Sequence, residues 1–330
     1  MMVRVFLIAF LMTLIALPHS YSVDWEQYNG NDSTRTTPEK MDLSTLKGNQ
    51  AKVLWKVPVR NGFSSFTTAG DKIFTLVTRK DQDGIERECC VALNANTGEE
   101  IWAQFLGFAK YDGGGDSGTE TNRGGDGARS TPSNDGERVY VYDSKMNLYC
   151  FDIEDGSVKW QKSIEKDFNG REIRWQSAAS PLLMDYLCIV YGGGEGQTMI
   201  GLDKRNGSVM GAVGDDLMTH ATPIRANIHG VEQAIFFLQS GVTSVDVSDG
   251  QILWHFDFPY VTSTAASPVV AGDLVYCSAG YGVGAALHRI KKTDSGFEAE
   301  ELWRAKNRLF NHWSTPVYKD GYLYGMFSFK

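Results

Sequence analysis

The sequence predicts an all-β protein, a β-propeller of four-stranded antiparallel blades, from two repeating markers and its composition. The first marker is a recurring tryptophan, with Trp55, Trp102, Trp160, Trp254 and Trp303 spaced by 47, 58, 94 and 49 residues. All of them except Trp55 follow a Gly-containing turn. The second is Ser or Thr followed by proline, at Pro132, Pro181, Pro223, Pro268 and Pro316, spaced by 42–49 residues. The 35 glycines and 14 tyrosines, with no long helical pattern, suit many short strands and turns.

The clearest repeat unit is the segment 130–160. Ser-Thr-Pro opens it, and Asn-Asp-Gly at 134–136 turns the chain into the apolar run 139–142. A turn at 143–145 leads to the run 148–151, and Asp155-Gly156 turns the chain into a last run that carries Trp160. Short β-branched and aromatic runs separated by such turns predict four antiparallel strands in sequence.

The same pattern accounts for the rest of the chain from residue 53. The 94-residue spacing is filled by the segment 202–211, in which Gly211 stands where the other units have tryptophan. Residues 65–74 form a copy without the proline, and residues 53–57 resemble an outermost strand that completes the last blade. Six blades are visible. The final unit, from 314 to 330, has only two strands, so we expect a C-terminally truncated propeller with its domain at 53–330.

The N-terminal residues predict export. Arg4 precedes the apolar run 5–17, and small residues lead to a cleavage site after Ser22, the layout of a signal peptide at 1–22. An uncleaved anchor is the alternative, but the run is short for a bilayer. No cysteine lies at the cleavage site, so we expect a periplasmic or secreted protein without a lipid anchor or membrane span. An irregular segment at 23–52 follows.

Charge and cysteine content exclude other classes. The net charge of −8 argues against nucleic-acid partners. Five cysteines without regular spacing do not form a disulfide framework. Cys150, Cys188 and Cys277 lie in predicted strands and are interpreted as small buried hydrophobes. No zinc, haem or nucleophile motif is present, so no catalytic or metal-binding residue is predicted.

The repeat resembles a known family. Ala-Leu-Asn-Ala-Asn-Thr-Gly-Glu-Glu-Ile-Trp at 92–102 resembles the A-x-D-x-x-T-G-x-x-x-W repeat of pyrroloquinoline-quinone (PQQ) propellers. The segment 125–132 and the Asp24-Trp25 start resemble bacterial PQQ-binding-like repeat proteins, which are similar to the propeller lipoprotein of the outer-membrane β-barrel assembly machinery. The resemblance implies a complete ring of seven or eight blades. In quinoprotein dehydrogenases it also implies a PQQ and calcium site, where an adjacent cysteine pair packs on PQQ. Cys89 and Cys90 match that pair in residue type, but they fall in a predicted third strand, and we interpret them as a coincidence.

Candidate site residues precede the first strand of each blade, where they should ring the mouth of the channel. They are Arg129, Gln176, His220, Thr264, His312 and Trp313. Their types differ between units although the scaffold repeats, which favours a ligand site; solvated rim residues are the alternative. Gly-rich stretches at 113–127, 192–196 and 280–284 fall on the same face and are interpreted as turns, with calcium near Asp112, Asp116 and Asp126 as an alternative.

Three functions remain open at this point. The first is a non-catalytic binding or scaffold module of the cell envelope that holds a protein or small-molecule ligand at the channel face. The alternative is a PQQ- and calcium-dependent dehydrogenase acting on alcohols or sugars, in which the cofactor carries the chemistry. The third is a carbohydrate-binding or carbohydrate-degrading accessory role, which the sequence neither supports nor excludes. One fold hosts such unrelated activities.

Overall fold

The computed structural model describes residues 23–40, 52–59, 62–109 and 127–327. Within them, 22 strands form five four-stranded sheets and one two-stranded sheet, and each strand is hydrogen-bonded to its neighbour in sequence. All the pairings are antiparallel. The predicted all-β propeller with six visible blades is therefore confirmed. No helix in this part of the chain has the length and apolar character needed to cross a membrane.

The blades are numbered in chain order. Blade 1 consists of β1 (Thr67–Ala69), β2 (Lys72–Lys80), β3 (Glu86–Asn94) and β4 (Glu100–Phe108). Blade 2 consists of β5 (Ser133–Asn134), β6 (Arg138–Tyr142), β7 (Asn147–Asp152) and β8 (Val158–Ser163). Blade 3 consists of β9 (Leu182–Met184), β10 (Leu187–Tyr191), β11 (Met199–Asp203) and β12 (Val209–Val213).

The later blades follow the same order. Blade 4 consists of β13 (Ile224–Ile228), β14 (Val231–Phe237), β15 (Gly241–Asp246) and β16 (Ile252–Asp257). Blade 5 consists of β17 (Val269–Ala271), β18 (Leu274–Ala279), β19 (Gly284–Thr293) and β20 (Gly296–Lys306). Blade 6 consists of β21 (Val317–Lys319) and β22 (Tyr322–Tyr324).

Two local features differ from the sequence prediction. Residues 53–57 form no strand; Trp55 nevertheless packs on blade 1 as a fourth-strand tryptophan does. The sequence also gave no sign of the one-turn helix α1 (Ile164–Asp167) after β8, whose N-cap Ser163 accepts a hydrogen bond from the Lys166 amide at 3.4 Å. The signal peptide and most of the stretch 113–127 lie outside the described residues.

The Ser/Thr-Pro marker joins neighbouring blades. The Thr131 hydroxyl accepts a hydrogen bond from the Ser65 amide at 2.9 Å, and the Thr131 amide donates to the Ser180 hydroxyl at 2.9 Å. The Ser180 amide in turn donates to the Thr222 hydroxyl at 3.0 Å. Each hydroxyl thus accepts a hydrogen bond from a backbone amide of the preceding blade, which gives the marker a role at the blade boundary.

The tryptophan marker also acts between blades. The Trp102 indole of blade 1 covers Gly156 in the last turn of blade 2, so closely that a Cβ built on this glycine would lie 2.7 Å from the ring. The indole nitrogen donates to the Ile153 carbonyl, three residues before the glycine, at 3.0 Å. Trp160 repeats both contacts, covering Gly207 and donating to the Lys204 carbonyl at 2.8 Å. The repeat thus encodes an indole of one blade packed on a glycine of the next.

Replacing Gly207 by alanine should separate backbone strain from this packing. Gly207 and Gly250 have left-handed φ angles of +70° and +77°, but Trp160 covers only Gly207, and nothing lies within 4 Å of a Cβ at Gly250. Gly250→Ala should cost about 1–2 kcal/mol from its φ angle alone. Gly207→Ala should cost about 1–3 kcal/mol more, because the new methyl group displaces the indole. Urea denaturation of both variants measures the difference, and equal losses would contradict the packing role of the indole.

The N-terminal segment 23–40 contacts several blades at or just before their innermost strands. Gln27 exchanges hydrogen bonds with the backbone of Leu183 in β9, at 2.7 and 3.2 Å. Asn29 donates to the Ser267 hydroxyl at 3.2 Å, and Arg35 donates to the Pro316 carbonyl at 3.1 Å. Since Leu183 lies in blade 3, and Ser267 and Pro316 just precede the first strands of blades 5 and 6, the segment bridges separate blades at their inner ends.

Candidate functional site

A cavity of about 690 Å³ lies where the chain enters the innermost strands. Three groups of side chains form its described wall: aromatic residues, small or hydroxyl-bearing residues, and two basic residues. The described lining residues are Tyr28, Phe63, Trp175, Tyr281 and Trp313; Ala178, Ser180, Thr222, Ser263, Ala265 and Ser314; and Arg129 and His220. None of them is acidic. The wall is therefore largely aromatic, with one permanent positive charge.

The structure brings three of the six sequence-predicted residues to this wall. Arg129, His220 and Trp313 line the cavity, and Trp313 is 52% exposed. The other three predicted residues, Gln176, Thr264 and His312, are buried and stand outside the lining set. The Thr264 carbonyl accepts a hydrogen bond from the His220 amide at 2.9 Å, and the His312 ring lies 4.5 Å from the Trp313 ring.

Arg129 supplies the positive charge. Its side chain is buried to 7% exposure, and one guanidinium nitrogen donates to the Gly127 carbonyl at 3.3 Å. A buried guanidinium that faces an aromatic cavity is suited to a planar anion such as a carboxylate. Arg129 is also close enough to His220 to disfavour the charged form of that imidazole.

His220 is neutral in this environment. Burial lowers the pKa of His220 to about 4, and the neighbouring charge of Arg129 acts in the same direction. Its Nε2 lies 2.9 Å from the Arg174 carbonyl, so the proton is on Nε2 and Nδ1 is an acceptor. Nδ1 has no hydrogen-bond partner among the described residues. A neutral His220 thus offers a ligand a buried acceptor.

Trp175 owes its position to an unusual backbone. Trp175 and Gln176 both have left-handed φ angles, +64° and +63°, a conformation uncommon for residues other than glycine. The Arg174 guanidinium lies over the Trp175 ring, 4.3 Å from its centroid. The centroids of the Trp175 and His220 rings are 6.2 Å apart. The indole is therefore held as part of the wall. Sequence reasoning selected Gln176 and missed Trp175. The two left-handed residues put Trp175 in the wall and leave Gln176 outside it, and this backbone conformation has no sequence signal.

His312 positions a second aromatic group. Its ring lies 4.7 Å from Tyr281, edge to face, and 4.5 Å from Trp313. Nδ1 accepts a hydrogen bond from the Gly280 amide at 3.3 Å, which leaves the proton on Nε2, 3.3 Å from the Ser263 hydroxyl. Burial lowers the pKa of His312, so this network holds a neutral ring. The glycine stretch 280–284 thereby contacts the site, as its predicted place between β18 and β19 suggests.

A buried carboxyl pair stands behind the cavity. Glu88 in β3 and Asp143 after β6 are both fully buried, and neither lines the cavity. Burial and the nearby Asp143 raise the pKa of Glu88 to about 8, while the Ser144 amide and Arg129 act against this shift. Sequence reasoning missed the pair, because Glu88 follows Glu86 and Arg87 at the charged start of β3 and nothing in the sequence marks it as buried.

The described residues do not form the PQQ and calcium site of the dehydrogenase alternative. Cys89 and Cys90 are free, they are consecutive in β3, and they pack into different core clusters, so neither can cap a ring in the cavity as a disulfide. Burial raises the pKa of Cys89 to about 11. No carboxylate is among the described lining residues, and calcium prefers carboxylate oxygens. Asp112, Asp116 and Asp126 lie outside the described residues.

Comparison with known proteins gives one family. The family model described as "Outer membrane protein assembly factor BamB" matches residues 86–325. A search of curated proteins found no significant match. Among solved structures, BamB from Moraxella catarrhalis is 16% identical, with a TM-score of 0.47 and coverage of 74% of this chain and 60% of that one.

Two quinone-enzyme structures are also similar. The quinohemoprotein alcohol dehydrogenase from Comamonas testosteroni is 12% identical, with a TM-score of 0.53 over 82% of this chain and 46% of that one. A europium-containing methanol dehydrogenase is 12% identical, with a TM-score of 0.54 over 85% of this chain and 69% of that one. At these identities the likeness shows the fold alone. The chain spans less than two thirds of the length of the BamB and Comamonas proteins.

Proposed function

The chain belongs to the PQQ-like β-propeller family that includes the outer-membrane assembly factor BamB, and from this premise we propose that it is a non-catalytic binding module of the cell envelope. The observation that supports the proposal is the cavity at the channel: five aromatic side chains and one buried guanidinium line it, and no described lining residue is acidic. Such a wall suits an aromatic or apolar group that bears a carboxylate, on a small molecule or on a protein. We infer from the sequence of residues 1–22 that the module is exported from the cytoplasm.

Arg129 is expected to discriminate between an anion and its neutral isostere. We expect 2-naphthoate to bind the full-length protein at least about tenfold more tightly than 2-naphthamide, because a buried charge-assisted hydrogen bond contributes about 1.5–3 kcal/mol. Arg129→Gln should remove this preference while weak binding of the amide persists. Isothermal titration calorimetry on wild type and variant measures both constants.

A matched control is Arg171→Gln. Arg171 is exposed and is not among the cavity-lining residues, so its replacement should preserve the preference. Thermal denaturation of both variants tests whether they remain folded. Equal affinity of the two ligands for the wild type would contradict the proposed role of the cavity.

The dehydrogenase alternative has its own test. Purified protein is incubated with PQQ and Ca²⁺, and quinone absorbance and dye reduction are followed with alcohols and sugars as substrates. PQQ is itself an aromatic anion, so binding without turnover agrees with a binding module. Sustained dye reduction would replace the proposed function with the enzymatic one.

A further inference from the structure

A groove between blades 3 and 4 has the form of an indole site without its indole. It has a volume of about 170 Å³ and is lined by Met210 and Gly211 of β12, Ala234 and Phe236 of β14, Val245 of β15 and Gly250. An apolar cavity of about 150 Å³ is large enough for an aromatic ring. The groove is separate from the channel cavity and shares none of its lining residues.

Strand register identifies Gly211 as the tryptophan position of blade 3. Trp102 lies opposite Ala92, and Trp160 lies opposite Cys150, each immediately before a bulge in the third strand. Gly211 lies opposite Gly201, which likewise immediately precedes a bulge. Blade 3 therefore has the same outer-strand geometry as blades 1 and 2 and lacks only the side chain.

The surface that would receive the indole is present on blade 4. Gly98, Gly156 and Gly207 each lie under an indole ring, and the carbonyl three residues before each accepts the indole N–H: Ala95 from Trp55 at 2.9 Å, Ile153 from Trp102 at 3.0 Å and Lys204 from Trp160 at 2.8 Å. In blade 4 the equivalent glycine is Gly250, with nothing within 4 Å of its Cβ position. The equivalent carbonyl belongs to Val247, and no described residue donates a hydrogen bond to it.

The occupant has to come from another molecule. All eight tryptophans of the chain lie in its described part, and none is among the residues that line the groove. The rim carries Asp246 and Asp249, and neither forms a salt bridge with a described residue. In blade 2 the equivalent Asp152 pairs with Lys159 at 2.9 Å. A negative rim favours a partner with basic residues beside its indole.

We propose that this groove docks a tryptophan side chain of a partner protein, flanked by lysine or arginine, in the place that Trp102 and Trp160 occupy at the neighbouring blade interfaces. The indole packs on Gly250 and donates its N–H to the Val247 carbonyl. The proposal does not depend on the function of the channel cavity, so Arg129→Gln should leave it unchanged.

The probe is the peptide N-acetyl-Lys-Trp-Lys-amide, compared with N-acetyl-Lys-Ala-Lys-amide, on the full chain. We expect saturable shifts in ¹³C-methyl spectra at Met210, Ala212, Val213 and Val245, with a dissociation constant of about 1 mM or below, and none with the alanine peptide. Exchange of both lysines for glutamate should weaken binding about two- to fivefold at low salt. Absence of saturable shifts, or equal shifts with the alanine peptide, overturns the proposal without use of any variant.

Gly211→Trp supplies the missing indole from within the chain. No atom lies within 4 Å of a Cβ at Gly211, so the side chain can enter the groove. The affinity of the variant for the tryptophan peptide, measured from the methyl shifts, should be at least about tenfold lower than that of the wild type. Its melting temperature should be higher. Gln161→Trp, which adds an indole at an exposed position of β8, is the control and should keep wild-type binding.

Retention of binding by Gly211→Trp would overturn the proposal. Concentration-dependent self-association that Gly211→Trp abolishes, measured by sedimentation, would also overturn it, because the occupant would then be a second copy of this chain.

Discussion

Replacement of Trp102 by alanine should lower the free energy of unfolding by about 3–5 kcal/mol, the range for removing a large buried aromatic side chain. The indole is 7% exposed, lies 5.9 Å from the Phe74 ring and 6.1 Å from the Phe151 ring, and covers Gly156 across the boundary between blades 1 and 2. Its loss also leaves the buried Ile153 carbonyl without its donor. Urea denaturation followed by far-UV circular dichroism measures the change.

Trp303 is the matched control, because it has the same repeat position in blade 5. It lies opposite Leu287 just before the bulge of β19, but it is 38% exposed and covers no glycine among those described. Trp303→Ala should therefore cost about 1 kcal/mol, from lost packing against Tyr276. A loss as large as that of Trp102→Ala would show that the indole stabilises its own blade and not the blade boundary.

The fold was predictable because its signals are local. A Gly-containing turn followed by tryptophan, and a hydroxyl residue followed by proline, each fall within a few residues, and their recurrence reveals the blades. The physical reason for each marker emerges only in three dimensions: Thr131 bonds to Ser65 and Ser180, and Trp160 covers Gly207. The predicted strand at 53–57 was wrong, because a tryptophan pattern identifies packing on a neighbour and does not require strand pairing.

The site was less predictable because side-chain direction depends on loop geometry. The position before each Ser/Thr-Pro led to Arg129 and His220, which line the cavity. It also led to Gln176, where two successive left-handed residues place Trp175 at the wall instead. Tyr28 lines the cavity from a segment more than 100 residues away in sequence from any predicted site residue. It lies outside the repeats, so no repeat pattern predicts its position.

Glu88 and Asp143 are buried close together, but their hydrogen-bond environments differ. The carboxylate of Asp143 accepts from the amides of Gly107, Lys145 and Asn147 at 3.2, 2.9 and 2.8 Å. Glu88 accepts one hydrogen bond, from the Ser144 amide at 3.1 Å, and its Oε1 has no partner among the described residues. Two buried carboxylates in proximity do not both ionise readily, so Asp143 holds the negative charge and Glu88 holds the proton.

This arrangement predicts that the protein loses stability as the pH rises toward 8. The unfolded chain releases the Glu88 proton near its ordinary pKa of 4.5, whereas the folded chain keeps it up to about pH 8. The folded state therefore binds more protons between these values, and stability falls by up to about 1.4 kcal/mol per pH unit. Glu88→Gln should remove most of this dependence, so the variant is expected to be more stable than the wild type at pH 8.5, with a much smaller difference at pH 4.5.

Chemical denaturation at pH 4.5, 6.5 and 8.5 measures the slope for the wild type, Glu88→Gln and the control Glu137→Gln. Glu137 is exposed on the turn before β6, so its replacement should leave the wild-type slope intact. If Glu88→Gln retained that slope as well, the loss of stability would arise from other groups, and Glu88 would already be ionised at neutral pH. If the variant were less stable than the wild type at every pH, an ionised Glu88 paired with Arg129 would be the better description of the site.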